Sequence, residues 1–257
     1  MRPALGTFVE IQLIGHCSDR EFVVVAKKAF SAIDKVGELM SFHSAQSDLT
    51  RLNQAPLSKW VRIHPWTARV LRQSLSFQKV SQGFFNIAIA DVLVSKGLLP
   101  GKKSRTSHRY INQAPAFEVR KNQARRLLSV RVDLGGIAKG FAVDRAVDSL
   151  RKNFDGSGVI NAGGDLRAFG KKASSVHIRS RKNGFSGQVL RIRESAIATS
   201  DSGPDKVNSK GKTLRPGKTV SVIASDCMTA DALTKIALIA KGALVNSCLE
   251  RYEARLV

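Results

Sequence analysis

Acidic residues are scarce in this 257-residue chain: 20 Asp and Glu stand against 42 Lys and Arg, a formal net charge of +22. The excess is spread through 102–110, 119–126, 178–184 and 206–218, so it is not one basic tail. A field of that size draws polyanions of any kind, whether or not they are the proper ligand. Tyrosine and tryptophan are rare at two each, which leaves little for stacking bases. No RRM, KH or zinc-finger spacing occurs either, so no specific nucleic-acid partner is expected. The three cysteines, Cys17, Cys227 and Cys248, are odd in number and far apart. They match no zinc or redox spacing and are expected as reduced thiols. No apolar run reaches transmembrane length, and MRPALGTFVEIQLIG at the start lacks the apolar stretch and cleavage site of a signal peptide. With residue 1 as the native start, the chain is expected to have no membrane span and to stay in the cytoplasm.

The apolar content is 43%, enough for a real core. With no tandem repeat and no shift in composition, residues 1–257 are expected to form a single unit. GTFVEIQLI (6–14) alternates as a strand, and from Arg20 to Met40 the residues Phe22, Ala26, Ala29, Ile33, Val36 and Met40 recur at helical spacing. Trp66 to Val80 repeats the helical pattern and ends at Gly83. The polar, proline-broken stretch between Gly97 and Asn122 reads as a surface excursion with one short strand. Next come a strand from Arg126 to Asp133, a helix from about Ile137 to Leu150, and strands Gly158–Asn161 and Leu166–Phe169 on either side of a Gly-Gly turn. SVHIRS and GQVLRIR read as a strand pair, 201–218 as a loop, 219–224 as a strand and Thr229–Lys241 as a helix. Strands and helices mix without a βαβ rhythm, which predicts an α+β protein.

Four stretches carry candidate chemistry. VDLGGIAKGFAVDRAV (132–147) turns from strand to helix on Gly135 and Gly136. Free N–H groups at such a helix start suit a phosphate, while a tight turn needing only glycine's freedom explains the pair as well. Lys139 in the first helical turn opposes the macrodipole, at a cost of roughly 0.3–1 kcal/mol, which calls for a negative group beside it. VINAGGDLRAFG (159–170) places Asn161 and Asp165 around Gly163 and Gly164, either as a polar ligand site or as a hairpin with local side-chain bonds. SDCMTADALTKIALIAKG (225–242) sets Asp231 and Lys235 four apart. They form either a surface ion pair or, with Thr234, a seat for a hard cation at a helix start. In MSFHSAQSDLTRLN (40–53), Ser47 or Asp48 can cap a short turn, with His43 beside Phe42.

Taken in order, GTFVEI, MSFHSAQSDLTRLN, GFFNIAIADVLVSKG, VDLGGIAKGFAVDRAV, NAGGDLRAFG, AIATS and ADALTKIALIAKG resemble the ApbE family of FAD:protein FMN transferases. The likeness runs from Leu5 to about Gly242. It implies an α+β fold with a T-fold-like core of mixed or antiparallel sheets and packed helices. It also implies FAD as substrate, Mg²⁺ as cofactor, and an acceptor flavoprotein whose Thr or Ser hydroxyl receives FMN as a phosphoester while AMP leaves. By motif, Leu5, His43, Phe84, Phe85, Asn86, Asp133, Lys139, Asn161, Gly163, Gly164 and Asp165 fall at FAD-binding positions. Gly136 and Asp231 fall at the metal, with Thr234, one place before the family's threonine, as a further oxygen donor there, and Asp231 and Lys235 are read as the reacting centre.

The chain departs from the family pattern at five places. Leu5 replaces a methionine, His43 an aromatic, and Asn86-Ile87 an Asp-Pro pair. Lys235 stands where the family has threonine, and a His-Ile-x-x-Pro element expected within 203–218 is absent. The Lys235 ammonium is expected to take over part of the charge neutralisation normally given by the metal. Two other activities compete with transfer: FAD binding without modification of a protein, and hydrolysis of free FAD to FMN and AMP.

Overall fold

A computed structural model describes residues 1–102, 115–178, 189–203, 206–208 and 213–257. The chain opens on strands β1 (Arg2–Ala4) and β2 (Thr7–Ile14), joined across Leu5 and Gly6 with φ of 54° and 71°. Two successive positive φ values make the hairpin turn whose twist matches the strands it joins. Helix α1 (Asp19–Met40) starts on a capping box in which Ser18 and Glu21 satisfy each other's backbone N–H. Its buried stripe is Val25, Ala26, Ala29, Ile33, Val36 and Met40. Phe22, expected on that stripe, is exposed, because residues 19–24 all lie beyond the core.

The next segment holds α2 (Asp48–Gln54), β3 (Val61–Arg62), α3 (Pro65–Val80) and α4 (Ala90–Ser95). Ser47 caps α2 by accepting the Thr50 N–H, which leaves Asp48 inside the helix. Strands β4 (Phe117–Arg120) and β5 (Gln123–Arg126) pair, and β3 joins them in the order β3-β5-β4. The surface excursion thus ends in the short strand β4, while its residues 103–114 lie outside the described ones.

No strand runs from Arg126 to Asp133. The extended backbone there finds other partners. Asn53 Nδ2 donates to the Val132 carbonyl at 2.8 Å, and Asn53 Oδ1 accepts the Val132 N–H at 2.8 Å. The Asp133 N–H donates to the Ile87 carbonyl at 2.8 Å. A side-chain amide therefore does the work of a neighbouring strand and holds the approach to Gly135 in place. Asn53→Ala removes both partners of a buried peptide group and is expected to cost about 2–4 kcal/mol. Urea unfolding with an unchanged m-value would measure it.

The second half supplies α5 (Ala138–Asn153), β6 (Ser157–Ala162), β7 (Asp165–Phe169), β8 (Ser174–His177), β9 (Val189–Ile192), β10 (Ala196–Asp201) and β11 (Thr219–Ala224). It closes with α6 (Cys227–Ile239), α7 (Ala243–Arg251) and β12 (Arg255–Leu256). One seven-stranded sheet runs in the order β1-β2-β6-β7-β10-β11-β12, with every described pairing antiparallel. Strands β8 and β9 pair as expected from SVHIRS and GQVLRIR, and the stretch between them, 179–188, lies outside the described residues. So do 204–205 and 209–212 of the expected 201–218 loop.

Strand alternation divides this sheet into two faces. Ile160, Ala162, Ala196, Ala198 and Val222 point toward α1, α5 and α6, in a core that extends from Val9 to Leu249. Val159, Leu166, Val176, Ile192 and Ile197 form a smaller cluster on the opposite face, under the β8–β9 hairpin. The architecture is α+β, with the helices gathered on one face of an antiparallel sheet.

Candidate active site at two facing helix starts

Helices α5 and α6 meet close to their N-termini, and the absence of a side chain at Gly140 permits it. A Cβ on Gly140 would stand 2.2 Å from the Cys227 carbonyl oxygen and 2.9 Å from the Asp231 Cβ. At that range each helix caps the other. From α6, Asp231 Oδ2 accepts the Gly140 N–H at 3.1 Å. From α5, Asp144 accepts the N–H groups of Cys227 and Met228, both at 2.9 Å, and Arg167 Nη1 donates to it at 2.7 Å. The unpaired amides of a helix start are thus met by carboxylates whose charge suits the dipole.

The α5 start is consequently not the row of bare amides that its Gly-Gly turn suggests. The Ala138 N–H donates to the Leu134 carbonyl at 2.9 Å, and the Gly140 N–H is held by Asp231.

Around the junction stand two lysines and two fully buried carboxylates. Lys139 Nζ donates to Asp165 Oδ2 at 2.6 Å. Lys235 Nζ donates to Asp231 Oδ1, to Ser200 Oγ at 2.8 Å and to Thr234 Oγ1 at 3.2 Å. The negative group that Lys139 requires is therefore the chain's own Asp165. The Asp231–Lys235 pair is not at the surface, because α6 is buried around Asp231 and Thr234. Both pairs point the same way. The Lys235 and Lys139 side chains are 24% and 32% exposed, whereas those of Asp231 and Asp165 are 0% and 1%. Positive ends face outward and negative ends are sealed inside.

Burial alone would raise the Asp231 carboxyl, but Lys235 and Lys139 hold it below the usual carboxylate range. Burial would likewise lower Lys139, yet Asp231 and Asp165 push it above its ordinary value. Asp165 moves the other way, raised by burial and by the Asp231 charge against the pull of the lysines. Its Oδ1 is buried without a hydrogen-bond partner. Asp231 is thus a holder of cations and a poor proton acceptor. Cys227, at the same junction, is pushed well above its ordinary value by burial and the surrounding carboxylates, so its thiol stays protonated and unreactive.

A cleft of about 70 Å³ opens beside Lys235, lined by Phe84, Phe85, Asn86, Asp133 and Gly136 among others. Those five and Lys235 are all sequence-predicted site residues. Gly136 packs on the lysine stem, since a Cβ there would lie 3.6 Å from Lys235 Cγ. Asp133 accepts the Gly135 N–H at 3.0 Å. Burial raises the Asp133 carboxyl, against the amide bonds from Gly135 and Leu134 and the charge of His43. His43 itself is exposed, donates its N–H to Ser41 Oγ at 3.1 Å and does not line the cleft. Asn86 Oδ1 accepts the Ala88 N–H at 2.9 Å and shapes the turn. With one water taking about 30 Å³, the described cleft has room for a phosphate-sized group or a ring edge; residues 204–205 and 209–212 lie outside the description.

The remaining predicted residues lie elsewhere. Leu5 sits in the β1–β2 turn, with its Cδ2 3.5 Å from where a Gly37 Cβ would be, and packs on α1. Gly163 and Gly164, with φ of 63° and 101°, form a two-residue hairpin turn, and Asn161 Oδ1 accepts the Gly164 N–H at 3.0 Å. Asn161 and Asp165 flank one turn but point to opposite faces of the sheet. Asn161, Gly163 and Gly164 line a separate hollow of about 610 Å³ on the face away from the helices, with Thr7, Phe8, His177 and Asp201. That hollow is larger, but the buried charges do not open into it.

The donor set at Asp231 does not fit a divalent ion. Both carboxylate oxygens are engaged, one by the Lys235 ammonium and one by the Gly140 amide. The Thr234 hydroxyl donates to the Asp231 carbonyl at 2.7 Å, on its own helix. Among the described residues no three His, Cys, Asp or Glu side chains converge as metal ligands.

Sequence reasoning missed Gly140, Asp144, Arg167 and Ser200. Gly140 stands in the quoted AKGF, and a glycine within a predicted helix was the available signal for close packing. The other three are joined to the site only through contacts distant in sequence.

A family model described as the ApbE family matches residues 5–256. The FAD:protein FMN transferase of Vibrio cholerae serotype O1 is 23% identical over 259 residues, which cover 90% of this chain and 78% of that protein. The FAD:protein FMN transferase of Haemophilus influenzae is 26% identical over 185 residues, covering 65% and 53%. Among solved structures, the ApbE protein of Thermotoga maritima superposes with a TM-score of 0.83 at 22% identity, over 99% of this chain and 91% of that one. The apo form of the Pseudomonas stutzeri flavinyl transferase ApbE gives 0.84 at 17% identity, over 100% and 89%. At these identities the superpositions establish the shared fold. With nearly the whole length matched by the family model, the chain belongs to the ApbE family.

Proposed function

We propose that this chain is an FAD:protein FMN transferase working at the α5–α6 junction. The observation that carries the proposal is a cleft with an aromatic wall, Phe84 and Phe85, that ends on the Lys235 ammonium, whose counter-charge is buried behind it, with the Lys139–Asp165 pair at the same helix junction. Apolar walls suit the isoalloxazine ring, and outward positive ends suit a diphosphate.

In the reaction, the hydroxyl oxygen of a Thr or Ser on an acceptor flavoprotein attacks the FMN-side phosphorus of FAD. A new phosphoester bond forms, the bond from that phosphorus to the bridging oxygen breaks, and AMP leaves with the electron pair. The hydroxyl proton passes to water, and nothing is oxidised or reduced. Lys235 and Lys139 stabilise the charge that gathers on the departing phosphate. Asp231, held ionised, fixes Lys235 and braces the start of α5.

The test is incubation with FAD and an acceptor domain, followed by denaturing electrophoresis. A fluorescent acceptor band with AMP released one for one is expected, and Thr/Ser→Ala at the acceptor site should abolish it. FMN and AMP formed without acceptor would make the chain a hydrolase. FAD retained with no AMP would make it a binding protein.

A further inference from the structure

The oxygen atoms around Lys235 form a cation seat, and the ammonium fills it. Its contacts are a buried carboxylate, Asp231 Oδ1, and two hydroxyls, Ser200 Oγ at 2.8 Å and Thr234 Oγ1 at 3.2 Å. The protons of those hydroxyls are directed away from it. Thr234 donates to the Asp231 carbonyl at 2.7 Å. That leaves Ser200 as donor across the 2.7 Å separation from Thr234 Oγ1. Both hydroxyls therefore turn lone pairs toward Lys235, and all three ammonium hydrogens are used. Hard oxygen donors of this kind serve a metal ion as readily as an ammonium. Here the seat is taken by a group covalently tied to the chain, packed along Gly136 and facing the cleft.

We infer that Lys235 is a built-in counter-ion, and that this chain binds the FAD diphosphate without a divalent metal. The inference rests on FAD being the substrate. A tethered ammonium costs no binding entropy and cannot be stripped by a chelator, but it carries one charge where Mg²⁺ carries two. A second cation makes up the difference: Lys139, held by Asp165 at the same helix junction. The buried carboxylates keep the lysines in place without cancelling their outward field, because charge sealed behind an ammonium acts on the cleft from farther away.

The experiment measures FAD affinity by flavin fluorescence in EDTA and in millimolar Mg²⁺, for the wild type and for Lys235→Thr, with Mg²⁺ binding to each followed by calorimetry. The wild type is expected to bind FAD equally in both media, within about twofold, and to give no Mg²⁺ heat. Lys235→Thr opens the seat; its affinity in EDTA should fall about tenfold or more and recover with Mg²⁺. Wild-type binding that needs Mg²⁺ would overturn the inference and leave the transferase reading standing. Absence of FAD binding in either medium would overturn both. The wild-type arm decides alone should the variant fail to fold.

Discussion

Gly140→Ala is expected to cause one of the largest losses of stability that a single methyl group can produce in this chain. Two favourable contributions accompany the change: alanine is the better helix former by about 1 kcal/mol, and it restricts the unfolded chain by about 0.4–1 kcal/mol. Against them stands a backbone carbonyl, Cys227 O, 2.2 Å from the new carbon, where real contacts essentially never fall below 3.0 Å. A backbone wall cannot rotate aside, so α5 and α6 must separate. Separation breaks the Gly140 bond to Asp231 and the two Asp144 bonds at the start of α6. A net loss of about 3 kcal/mol or more is expected, with FAD binding lost in step. Thermal unfolding beside a flavin titration would measure both. A variant as stable as the wild type would mean that the helices do not meet in this way.

The second large effect belongs to Asp231. Asp231→Asn keeps the shape and removes the charge that two lysines share, leaving Lys235 half-buried beside a neutral amide. Breaking one side of a buried pair costs about 3–5 kcal/mol. Transfer should fall about 10²–10³-fold through loss of an organised charge at the departing phosphate. Stability and chemistry can be separated with the double change Asp231→Leu, Lys235→Met. Apolar replacement of a whole buried pair is often neutral or stabilising. The Gly140 N–H is left unpaired in the double variant, which is therefore expected to regain part of the stability and none of the transfer. If it flavinylates its acceptor at the wild-type rate, the pair is structural only.

Local pattern was enough to find most of the fold. Helical spacing marked α1, α3, α5 and α6, and the glycine pair marked the β6–β7 hairpin. It failed where a side chain stands in for backbone. Nothing in ARRLLSVRVD indicates that its partner is the Asn53 amide, 79 positions away, so the extended run to Asp133 reads as a strand.

The same limit applies at the site. The Gly-Gly turn, Lys139 and the Asp231–Lys235 spacing could be read locally, and the family resemblance added Phe84, Phe85 and Asn86, so six of the ten residues lining the cleft are expected ones, while Ile87, Ile89, Val207 and Ile239 are not. Lys139 in a first helical turn correctly called for an anion. That the anion is Asp165, whose neighbour Asn161 faces the other side of the sheet, depends on strand register and not on the turn itself. Mutual capping by Asp144 and Asp231 was invisible for a similar reason. Each carboxylate reads as an ordinary charge on its own helix until the close approach at Gly140 brings the two helix starts together.

Whether the positive ends at the α5–α6 junction receive the FAD diphosphate is decided by a crystal structure of the FAD complex. The diphosphate is expected beside the Lys235 ammonium, held there by its charge, with the isoalloxazine ring against Phe84 and Phe85. A diphosphate seated instead in the hollow lined by Asn161, Gly163 and Gly164, across the sheet from both lysines, would contradict it.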